Sequence, residues 1–577
     1  MRTLRLALAQ INVTVGDLEG NFRKMLSYIE QAAALQADLI AFPEMALTGY
    51  PAEDLLLRPE FSEDNLRYLE QLIPYSKEIT ILTGFVDRRD DIFNAAALLH
   101  RQSLAGIYHK QYLPNYGVFD ENRYFQAGKE NPVYRLNEIN IGVNICEDIW
   151  YPGGPTRDQT LYGNAEIIIN ISASPYAMGK VKDRNNMLAV RAEDNEVILA
   201  YLNLVGGQDE LIFDGQSVII SEEGEFIAKA PAFQEALIVA DLHPDNVFSK
   251  RLHDPRRRKE KLFIPAGKAV EQIILPPTEK KQKNPLPAPA VAADLEVVEE
   301  VYEALKLGVR DYVYKNRFSN IVFGLSGGID SALVSVIAVD ALGKENVIAI
   351  SMPGDFTSKA SVAEARQIAE NLDIRFHEIG IQKLFEAYLQ ELQPLFEGAA
   401  PDITEENIQA RIRGNILMAY SNKFGAMVLT TGNKSEFSTG YCTLYGDMAG
   451  GFAVIKDVPK LLVYELCRYR NRLAGYELIP ESVLTKPPSA ELRPNQQDSD
   501  SLPPYEILDP IIEAYVERDL AFEEIVDRGF DPEVVKKVIN LVNNNEYKRR
   551  QGAPGIKITS RAFGKDRRFP ITNRYSG

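Results

Sequence analysis

The sequence predicts an α/β protein built from two large domains. At 577 residues the chain is longer than one hydrophobic core normally organises, and hydrophobic residues make up 45% of it, enough for full folding. In both halves, short segments rich in β-branched residues alternate with helical stretches. A proline-rich, charged stretch of low complexity separates the halves and is typical of an extended linker.

The first domain is predicted to span residues 1–265. Its N-terminal segment, LRLALAQ at residues 4–10, alternates as a strand does and lacks the apolar core of a signal peptide. Further strands separated by helical stretches are expected at residues 79–82, 139–145, 167–171 and 197–202. This alternation predicts a layered α/β domain.

The linker is predicted at residues 266–293 and the second domain at 294–577. The second domain is expected to open with a helix that leads into a strand ending at Leu325. A second apolar run at 332–341 predicts a helix, and residues 347–353 predict the next strand. Strands that alternate with helices in this way favour a parallel sheet.

Charge and composition exclude several classes of partner. A net charge of −17 argues against nucleic acid or an anionic membrane, because such binding requires a broad basic surface. No run of about 18 apolar residues occurs, so no transmembrane helix is expected. Three cysteines without a pairing framework fit a reducing compartment, and we expect a cytoplasmic protein. Five scattered histidines and no CxxC motif leave no recognisable zinc site.

The segment Ser326–Ser331, with the sequence SGGIDS, lies where a predicted strand meets a predicted helix. Its glycines let the backbone approach an anion closely, and the N-terminus of the following helix favours phosphate. The lysine of a GxxxxGK[ST] loop is absent, and the carboxylate of Asp330 would repel phosphate. We therefore expect an intervening Mg²⁺, which binds carboxylate and phosphate oxygens together. The alternative is an ordinary glycine-bearing turn between a strand and a helix.

This loop resembles the pyrophosphate loop of the ATP pyrophosphatases that adenylate their substrates. The resemblance implies a Rossmann-like, doubly wound parallel sheet and cleavage of ATP to AMP and pyrophosphate. It assigns ATP contacts to the loop and to three later positions, namely Gly324, Leu325, Ser326, Gly327, Gly328, Ile329, Asp330, Ser331, Thr431, Lys460 and Ser489.

Three residues in the first domain form a candidate thiol site. Cys146 follows the predicted strand 139–145, and strand ends are where open α/β sheets bind ligands. Glu44 would take the thiol proton as general base, while Lys110 would favour the reactive thiolate and hold the oxyanion of a tetrahedral intermediate. Taken singly, Cys146 is better explained as a small buried apolar residue, and the two charged residues as solvated surface.

With their neighbouring residues, these segments resemble the Glu-Lys-Cys triad of the nitrilase-type carbon-nitrogen hydrolases. The resemblance implies an αββα sandwich and a glutaminase in which Cys146 attacks the amide of glutamine. It assigns glutamine contacts to Tyr116, Ser174 and Lys180, and an auxiliary carboxylate to Glu121. For the neighbouring His109 we favour a packing or hydrogen-bonding role over catalysis.

The combination of these two domains resembles the glutamine-dependent NAD synthetases over the full chain. The resemblance implies Mg²⁺ bound by Asp330 and Glu436, ATP as co-substrate, and a homo-oligomer, with an octamer as the suggested size. The shorter, ammonia-using relatives carry lysine where Leu444 stands. Contacts to deamido-NAD are implied for seven residues: Asn407, Glu436, Tyr441, Cys442, Thr443, Leu444 and Lys548.

Two other functions remain open from the sequence. One is a plain amidase whose second domain only binds nucleotide as a regulatory module. The other is an amidotransferase that adenylates a different carboxylic acid. The C-terminal residues 548–577 hold nine Lys or Arg against one acid, which is either a solvated tail or the local basic patch that an anionic dinucleotide needs.

Overall fold

The computed structural model describes residues 2–263, 270–278 and 283–575. They form two compact units. Unit 1 comprises the residues up to Gln208 together with Phe213–Leu295; unit 2 comprises Asp209–Ile212 and the chain from Glu296 onward. Among the described residues, no helix combines the length and the apolar character that a membrane crossing requires.

The first half of the chain contains two large sheets and one short hairpin. Its strands are β1 (Leu4–Gln10), β2 (Leu39–Ala41), β3 (Thr80–Arg88), β4 (Ile92–His100), β5 (Ser103–His109), β6 (Val133–Leu136), β7 (Ile139–Ile145), β8 (Ile167–Ser172), β9 (Ile198–Asn203), β10 (Val205–Gln208), β11 (Leu211–Asp214), β12 (Val218–Ile220), β13 (Phe226–Lys229), β14 (Ala236–Leu242) and β15 (Gln272–Ile274). One sheet has the order β14-β1-β2-β3-β4-β5, the other β13-β12-β9-β8-β7-β6-β15, and β10 pairs with β11.

The two sheets of unit 1 pack face to face around one apolar core. Leu6 and Ala240 from the first sheet, and Val143, Ile145 and Ile171 from the second, belong to the same buried cluster. The helices are α1 (Leu18–Ala34), α2 (Pro59–Leu72), α3 (Pro155–Leu161), α4 (Lys180–Asn195), α5 (Pro244–His253) and α6 (Pro255–Lys261). Helix α2 packs on β3, and α3 and α4 pack on the other sheet, so the expected αββα sandwich is confirmed.

The stretch predicted as a linker is partly built into unit 1. Residues 264–269 and 279–282, which include the start of that stretch and its Lys280-Lys281 pair, lie outside the described residues. Strand β15 pairs in parallel with β6, and Val291 forms a bridge with Lys229. Proline and charge predicted an extended backbone here, but not that it would hydrogen-bond to a sheet edge, because the partner strands are distant in sequence.

Unit 2 is built on a single five-stranded parallel sheet. Its strands are β16 (Ile321–Gly324), β17 (Val347–Ser351), β18 (Arg375–Glu378), β19 (Met427–Thr430) and β20 (Phe452–Ala453), in the order β18-β17-β16-β19-β20. The chain therefore leaves β16 in one direction and later returns to its other side. This is the doubly wound order that the sequence predicted, and it opens a crevice beyond the carboxyl ends of β16 and β19.

Helices cover both faces of this sheet. They are α7 (Val297–Lys315), α8 (Ile329–Leu342), α9 (Lys359–Asn371), α10 (Gln382–Phe396), α11 (Ile403–Phe424), α12 (Lys434–Thr439), α13 (Lys460–Ala474), α14 (Glu481–Thr485), α15 (Tyr505–Ile512), α16 (Phe522–Val526), α17 (Pro532–Asn544) and α18 (Glu546–Arg549). Helices α7 and α13 pack against α8, and α11 packs against β16 and β19. The helix expected to open this domain begins at Val297, three residues after its predicted start.

Candidate active sites

Cys146 begins a tight turn at the end of β7. Strand β7 ends at Ile145, and a short 3-10 turn runs over Cys146–Ile149. The cysteine is buried and has φ +44°, a left-handed conformation that is uncommon for a residue with a side chain. Non-glycine residues in this conformation cluster at functional sites, where the surrounding structure holds them. The turn therefore presents the thiol beyond the end of the strand.

Glu44 and Lys110 meet although 66 positions separate them. Glu44 lies after β2 and Lys110 directly after β5, and both side chains are completely buried. The ammonium of Lys110 donates to Glu44 Oε1 at 2.7 Å and to Glu121 Oε1 at 2.8 Å. The charges of Glu44, Lys110 and Glu121 all act on the thiol of Cys146. The fold thus brings the predicted triad and the auxiliary carboxylate into one cluster.

The carboxylate of Glu44 is held by two further groups. Asn94 on β4 donates from Nδ2 to Oε1 at 2.7 Å, and the backbone N–H of Ala173 donates to Oε2 at 2.7 Å. The backbone carbonyl of Asn94 also accepts a hydrogen bond from the backbone N–H of Lys110 at 2.9 Å. Sequence analysis missed Asn94, because a single asparagine inside a strand pattern carries no motif.

Burial sets the protonation of this cluster. Burial and the charge of Glu44 raise the pKa of the Cys146 thiol well above its ordinary value, and Lys110 only partly offsets them. Burial lowers the pKa of Lys110, but the carboxylates of Glu121 and Glu44 outweigh it and the net pKa is raised. Burial likewise raises the pKa of Glu121. The resting cysteine is therefore a thiol, and it needs a base before it attacks.

The three predicted glutamine contacts lie around a carboxylate next to the nucleophile. Lys180, at the start of α4, donates to Ser174 Oγ and to the carbonyl of Pro175, both at 3.0 Å. The half-exposed Tyr116 donates its hydroxyl to Glu147 at 3.0 Å. The charge of Lys180 also acts on Glu147. Sequence analysis assigned no role to Glu147.

His109 plays the packing role that the sequence favoured. Its ring stacks on Phe93 with a centroid distance of 4.1 Å, and its Nε2 lies 2.7 Å from Asp87 Oδ2. The prediction that this histidine hydrogen-bonds and packs is confirmed.

The glycine loop of unit 2 joins β16 to α8, as predicted. Gly327 has φ +82°, and a Cβ atom there would lie 2.2 Å from the carbonyl oxygen of Ser361, so only glycine fits. Ser326 Oγ accepts the N–H of Gly328 at 3.2 Å. Helix α8 begins at Ile329 and aims its N-terminal N–H groups into the crevice at the sheet's switch point. The loop has the geometry of an anion cradle.

Two acidic residues and one lysine meet beside this loop. The ammonium of the buried Lys460 contacts a carboxylate oxygen of Asp330 and lies 3.5 Å from Glu436 Oε1. Asn433 donates to Asp330 Oδ1 at 2.9 Å and caps the helix that carries Glu436. Burial, and next the charge of Asp330, raise the pKa of Glu436. The two carboxylates are close enough to share one cation.

This acidic pair fits a magnesium site completed by substrate. No group of three or more His, Cys, Asp or Glu side chains able to hold a metal occurs within residues 2–263, 270–278 and 283–575. Mg²⁺ is commonly held by only one or two carboxylates together with water and phosphate oxygens. Asp330 and Glu436 supply two such oxygen donors at the mouth of a phosphate cradle.

A cavity of about 300 Å³ opens above the loop, and most predicted nucleotide contacts line it. These are Gly324, Leu325, Ser326, Gly328, Ile329, Asp330, Ser331, Thr431, Glu436, Tyr441, Cys442, Lys460 and Ser489. Five other predicted contacts, all in the described part of the chain, do not line it: Gly327, Asn407, Thr443, Leu444 and Lys548.

Several of these remaining residues are bonded to the same segment. Thr443 Oγ1 donates to Asn407 Oδ1 at 2.9 Å. Lys548 donates to the carbonyls of Gly440 and Cys442 at 2.9 and 3.1 Å. The backbone carbonyl of Leu444 accepts a bond from Arg411 at 3.2 Å. They support the 440–444 segment, whose residues 441 and 442 face the cavity.

Lys486 is a cavity residue that sequence analysis missed. Its ammonium donates to the carbonyl of Gly327 at 3.3 Å and to Ser361 Oγ at 2.9 Å, and pairs with Glu364 at 2.8 Å. It thereby supports the glycine loop, although it lies 159 positions later in the chain. No local pattern marks it, since its partners are brought to it only by the tertiary fold.

The basic C-terminal segment is neither entirely a solvated tail nor entirely a basic patch for an anionic ligand. Arg549, Lys557 and Arg567 are buried. Lys557 pairs with Asp566 at 2.9 Å, and the guanidinium of Arg549 lies 4.6 Å from the ring centroid of Phe563. Three of the nine basic side chains therefore pack inside unit 2, and composition alone did not reveal that.

Comparison with known proteins places both units. A carbon-nitrogen hydrolase family model matches residues 5–251, and an NAD synthase family model matches residues 301–552. The glutamine-dependent NAD(+) synthetase of Thermotoga maritima is 50% identical over 582 residues, covering 100% of this chain and 99% of that protein. The enzyme of the same name from Aquifex aeolicus is 48% identical, covering 99% and 100%.

A solved structure agrees over both units. The glutamine-dependent NAD+ synthetase from Acinetobacter baumannii, in complex with adenosine diphosphate, superposes with a TM-score of 0.75 at 41% identity. The match covers 99% of this chain and 98% of that one.

Proposed function

The chain belongs to the family of glutamine-dependent NAD(+) synthetases, and on that premise we propose that it makes NAD⁺ from deamido-NAD⁺. The reaction consumes deamido-NAD⁺, ATP, glutamine and water, and it yields NAD⁺, AMP, diphosphate and glutamate. It is the last step of NAD biosynthesis. The observation that carries the proposal is that one chain holds a buried Cys146–Lys110–Glu44 cluster and a separate phosphate-loop cavity.

In the glutaminase half, Cys146 attacks the side-chain amide carbon of glutamine. Because burial keeps the thiol protonated, Glu44 accepts its proton as the sulfur attacks. The ammonium of Lys110 stabilises the oxyanion of the tetrahedral intermediate. Glu44 then returns the proton to the departing nitrogen, so that ammonia leaves and a thioester remains. Water hydrolyses the thioester to glutamate and restores the thiol.

Glutamine recognition uses complementary charges at the mouth of this site. Lys180, with Ser174, suits the α-carboxylate of the substrate. Glu147, with Tyr116, suits the α-ammonium group. A cationic and an anionic side chain near the nucleophile favour a free amino acid over an uncharged amide.

In the synthetase half, the protein mainly positions groups and stabilises charge. The nicotinate carboxylate of deamido-NAD⁺ attacks the α-phosphorus of ATP, and pyrophosphate leaves toward the glycine loop and the N-terminus of α8. Asp330 and Glu436 would hold Mg²⁺, which neutralises phosphate charge when bound. Ammonia then attacks the acyl-adenylate, AMP leaves, and the amide of NAD⁺ is formed. The 440–444 segment, with Asn407 and Lys548, is the proposed dinucleotide side.

The test is an assay with purified protein, ATP, Mg²⁺, glutamine and deamido-NAD⁺. We expect NAD⁺, AMP and glutamate, and we expect ammonium salts to replace glutamine. Glutamine hydrolysis that ATP and dinucleotide leave unchanged, with no AMP formed, would favour the amidase with a regulatory module. AMP formation with another carboxylic acid but not with deamido-NAD⁺ would identify a different amidotransferase.

We further propose a cytoplasmic homo-oligomer, with an octamer as the suggested size. The support for the assembly is the family, and the support for the compartment is that Cys146, Cys442 and Cys467, all within the described ranges, are free thiols. Sedimentation of the active enzyme at assay concentration measures the assembly, and a monomer with full activity would contradict it.

A further inference from the structure

Asp148 lies two residues after the nucleophile and takes no part in the proposed glutaminase or synthetase steps. Its side chain is completely buried, and its carboxylate accepts four hydrogen bonds. Oδ2 accepts from the hydroxyl of Tyr108 at 2.7 Å and the N–H of Ile145 at 3.0 Å, and Oδ1 accepts from the N–H groups of Gln111 at 3.1 Å and Tyr112 at 2.9 Å.

The four donors flank two residues of the catalytic cluster. Ile145 immediately precedes Cys146, so one bond fixes the entrance to the nucleophile turn. The other three donors are residues 108, 111 and 112, which lie on both sides of Lys110. A single carboxylate therefore ties the turn that carries the thiol to the segment that carries the ammonium.

The nucleophile turn requires such support. Cys146 has φ +44°, and a side-chain-bearing residue keeps this conformation only where its surroundings overdetermine it. From outside the turn, Asn170 Nδ2 donates to the Cys146 carbonyl at 3.4 Å, which is long for a hydrogen bond. The bond from Ile145 to Asp148, at 3.0 Å, is the shorter restraint on this turn.

Only an acceptor without hydrogens satisfies all four donors. An ionised carboxylate accepts on both oxygens. An asparagine of the same shape would turn an NH₂ group toward two donors, and the N–H of Ile145 would be left without a partner. Glutamate would add a methylene where the side chain is already fully enclosed.

We propose that Asp148 is a positioning residue that holds the thiol of Cys146 and the ammonium of Lys110 in register for attack on glutamine. This inference rests on the proposed glutaminase function. Asp148 fixes the distance between the nucleophile and the oxyanion cation without itself touching substrate.

The test compares Asp148→Asn with Asp241→Asn in the full-length protein. Asp241 is also a carboxylate of unit 1; it is bonded twice by Arg5 at 2.8 Å and contacts no member of the triad. For Asp148→Asn we expect glutaminase kcat to fall ~10²-fold with little change in KM, because small misplacements of reacting groups have effects of this size. Alkylation of Cys146 by iodoacetamide should slow in parallel.

Asp241→Asn should lose thermal stability but keep glutamine turnover and alkylation rate. Ammonium-dependent NAD⁺ synthesis, which needs no thiol, should stay near wild type in both variants. A glutaminase kcat within about threefold of wild type in Asp148→Asn would overturn the proposal, as would a fall explained by KM alone. If wild type hydrolyses no glutamine, the proposed function fails, while the alkylation rates still test the positioning role.

A variant whose unit 1 does not fold is recognised by loss of the wild-type thermal unfolding profile. In that case Tyr108→Phe decides, since it removes one of the four donors and keeps the ring buried. We expect its glutaminase kcat to fall about fivefold at unchanged KM. An unchanged kcat in this variant would refute the positioning role.

Discussion

The thiol site and the nucleotide site differ in how much of the chemistry the protein itself supplies. In unit 1, Glu44, Lys110, Glu121 and Cys146 are all buried; Lys110 donates to both glutamates, and the charges of all three act on Cys146. In unit 2, a cavity of about 300 Å³ is bordered by a backbone cradle and by two carboxylates that share a lysine. In the first site, side chains provide all of the reacting groups. The second site is built to bind the charged groups of its ligands.

The difference follows from the two kinds of chemistry. Attack on an amide needs a covalent nucleophile, a base and an oxyanion partner, all of which side chains provide. Transfer of a nucleotidyl group needs little covalent help and depends on positioning and charge neutralisation. We therefore expect single changes in unit 1 to abolish one reaction outright, and changes in unit 2 to act through ligand binding and transition-state charge.

The largest effect is expected for Cys146→Ala. Glutamine hydrolysis and glutamine-dependent synthesis should fall at least ~10³-fold, because no other group forms the thioester. Ammonium salts at millimolar concentration should restore NAD⁺ formation, more so at higher pH where more of the ammonium is NH₃. Both activities are measured on one preparation. Efficient glutamine use, or a folded variant that ammonia cannot rescue, would remove the separation between the two sites.

Asp330→Asn should give the reciprocal pattern. Synthesis should fall ~10²-fold or more with either nitrogen donor, since the proposed Mg²⁺ ligand next to the phosphates is lost, while basal glutaminase activity remains. Asp340→Asn is the matched control, because Asp340 lies on the same helix α8 but pairs with Arg470 and Tyr302 outside the cavity. Normal ATP-dependent turnover by Asp330→Asn would refute the metal assignment.

Lys460→Met tests whether the Lys460 ammonium competes with a metal ion at the nucleotide site. Its ammonium occupies the space between Asp330 and Glu436, so it competes with any cation that approaches them. Synthesis should fall ~10-fold or more, because a cation at the phosphates is lost. Without nucleotide, Mn²⁺ should bind this variant more tightly than wild type, as measured by the electron paramagnetic resonance signal of free Mn²⁺.

The control for that measurement is Lys486→Met. Lys486 braces the glycine loop but makes no bond to either carboxylate. It should weaken ATP use and leave Mn²⁺ binding without nucleotide unchanged. Equal or weaker Mn²⁺ binding by Lys460→Met than by wild type would show that the lysine is not a competitor.

The two sites also differ in how far the sequence predicted them. Alternation placed the strands 4–10 and 139–145 at their observed bounds, and the glycine pair placed the phosphate loop, because these signals are local. The role of Asn433 as a helix cap is also visible in the sequence, since Asn433-x-x-Glu436 has the spacing of a capping box.

The structural roles of Asp148 and Lys486 could not be predicted from the sequence. The carboxylate of Asp148 binds backbone groups 36 and 37 positions away, and Lys486 binds a carbonyl 159 positions away. Backbone partners carry no residue identity, so no pattern in the chain marks them. For the basic C-terminal segment the sequence left two alternatives open, because composition does not distinguish a surface arginine from Arg567, which is buried.

The smallest effects are expected for the other two cysteines. Cys467 is buried in α13 with its sulfur 3.9 Å from the carbonyl of Ile329, so Cys467→Ala removes packing and should cost ~1 kcal/mol of unfolding free energy. Cys442 accepts a bond from Lys548 through its backbone, which Cys442→Ala retains. Burial raises the pKa of both thiols, to about 12 for Cys442, as it does for Cys146, so what distinguishes Cys146 is the Glu44–Lys110 pair beside it. Glutamine-dependent synthesis should stay within about twofold of wild type in both variants. If either variant lost glutamine use as completely as Cys146→Ala, the thiol chemistry would no longer belong to unit 1 alone.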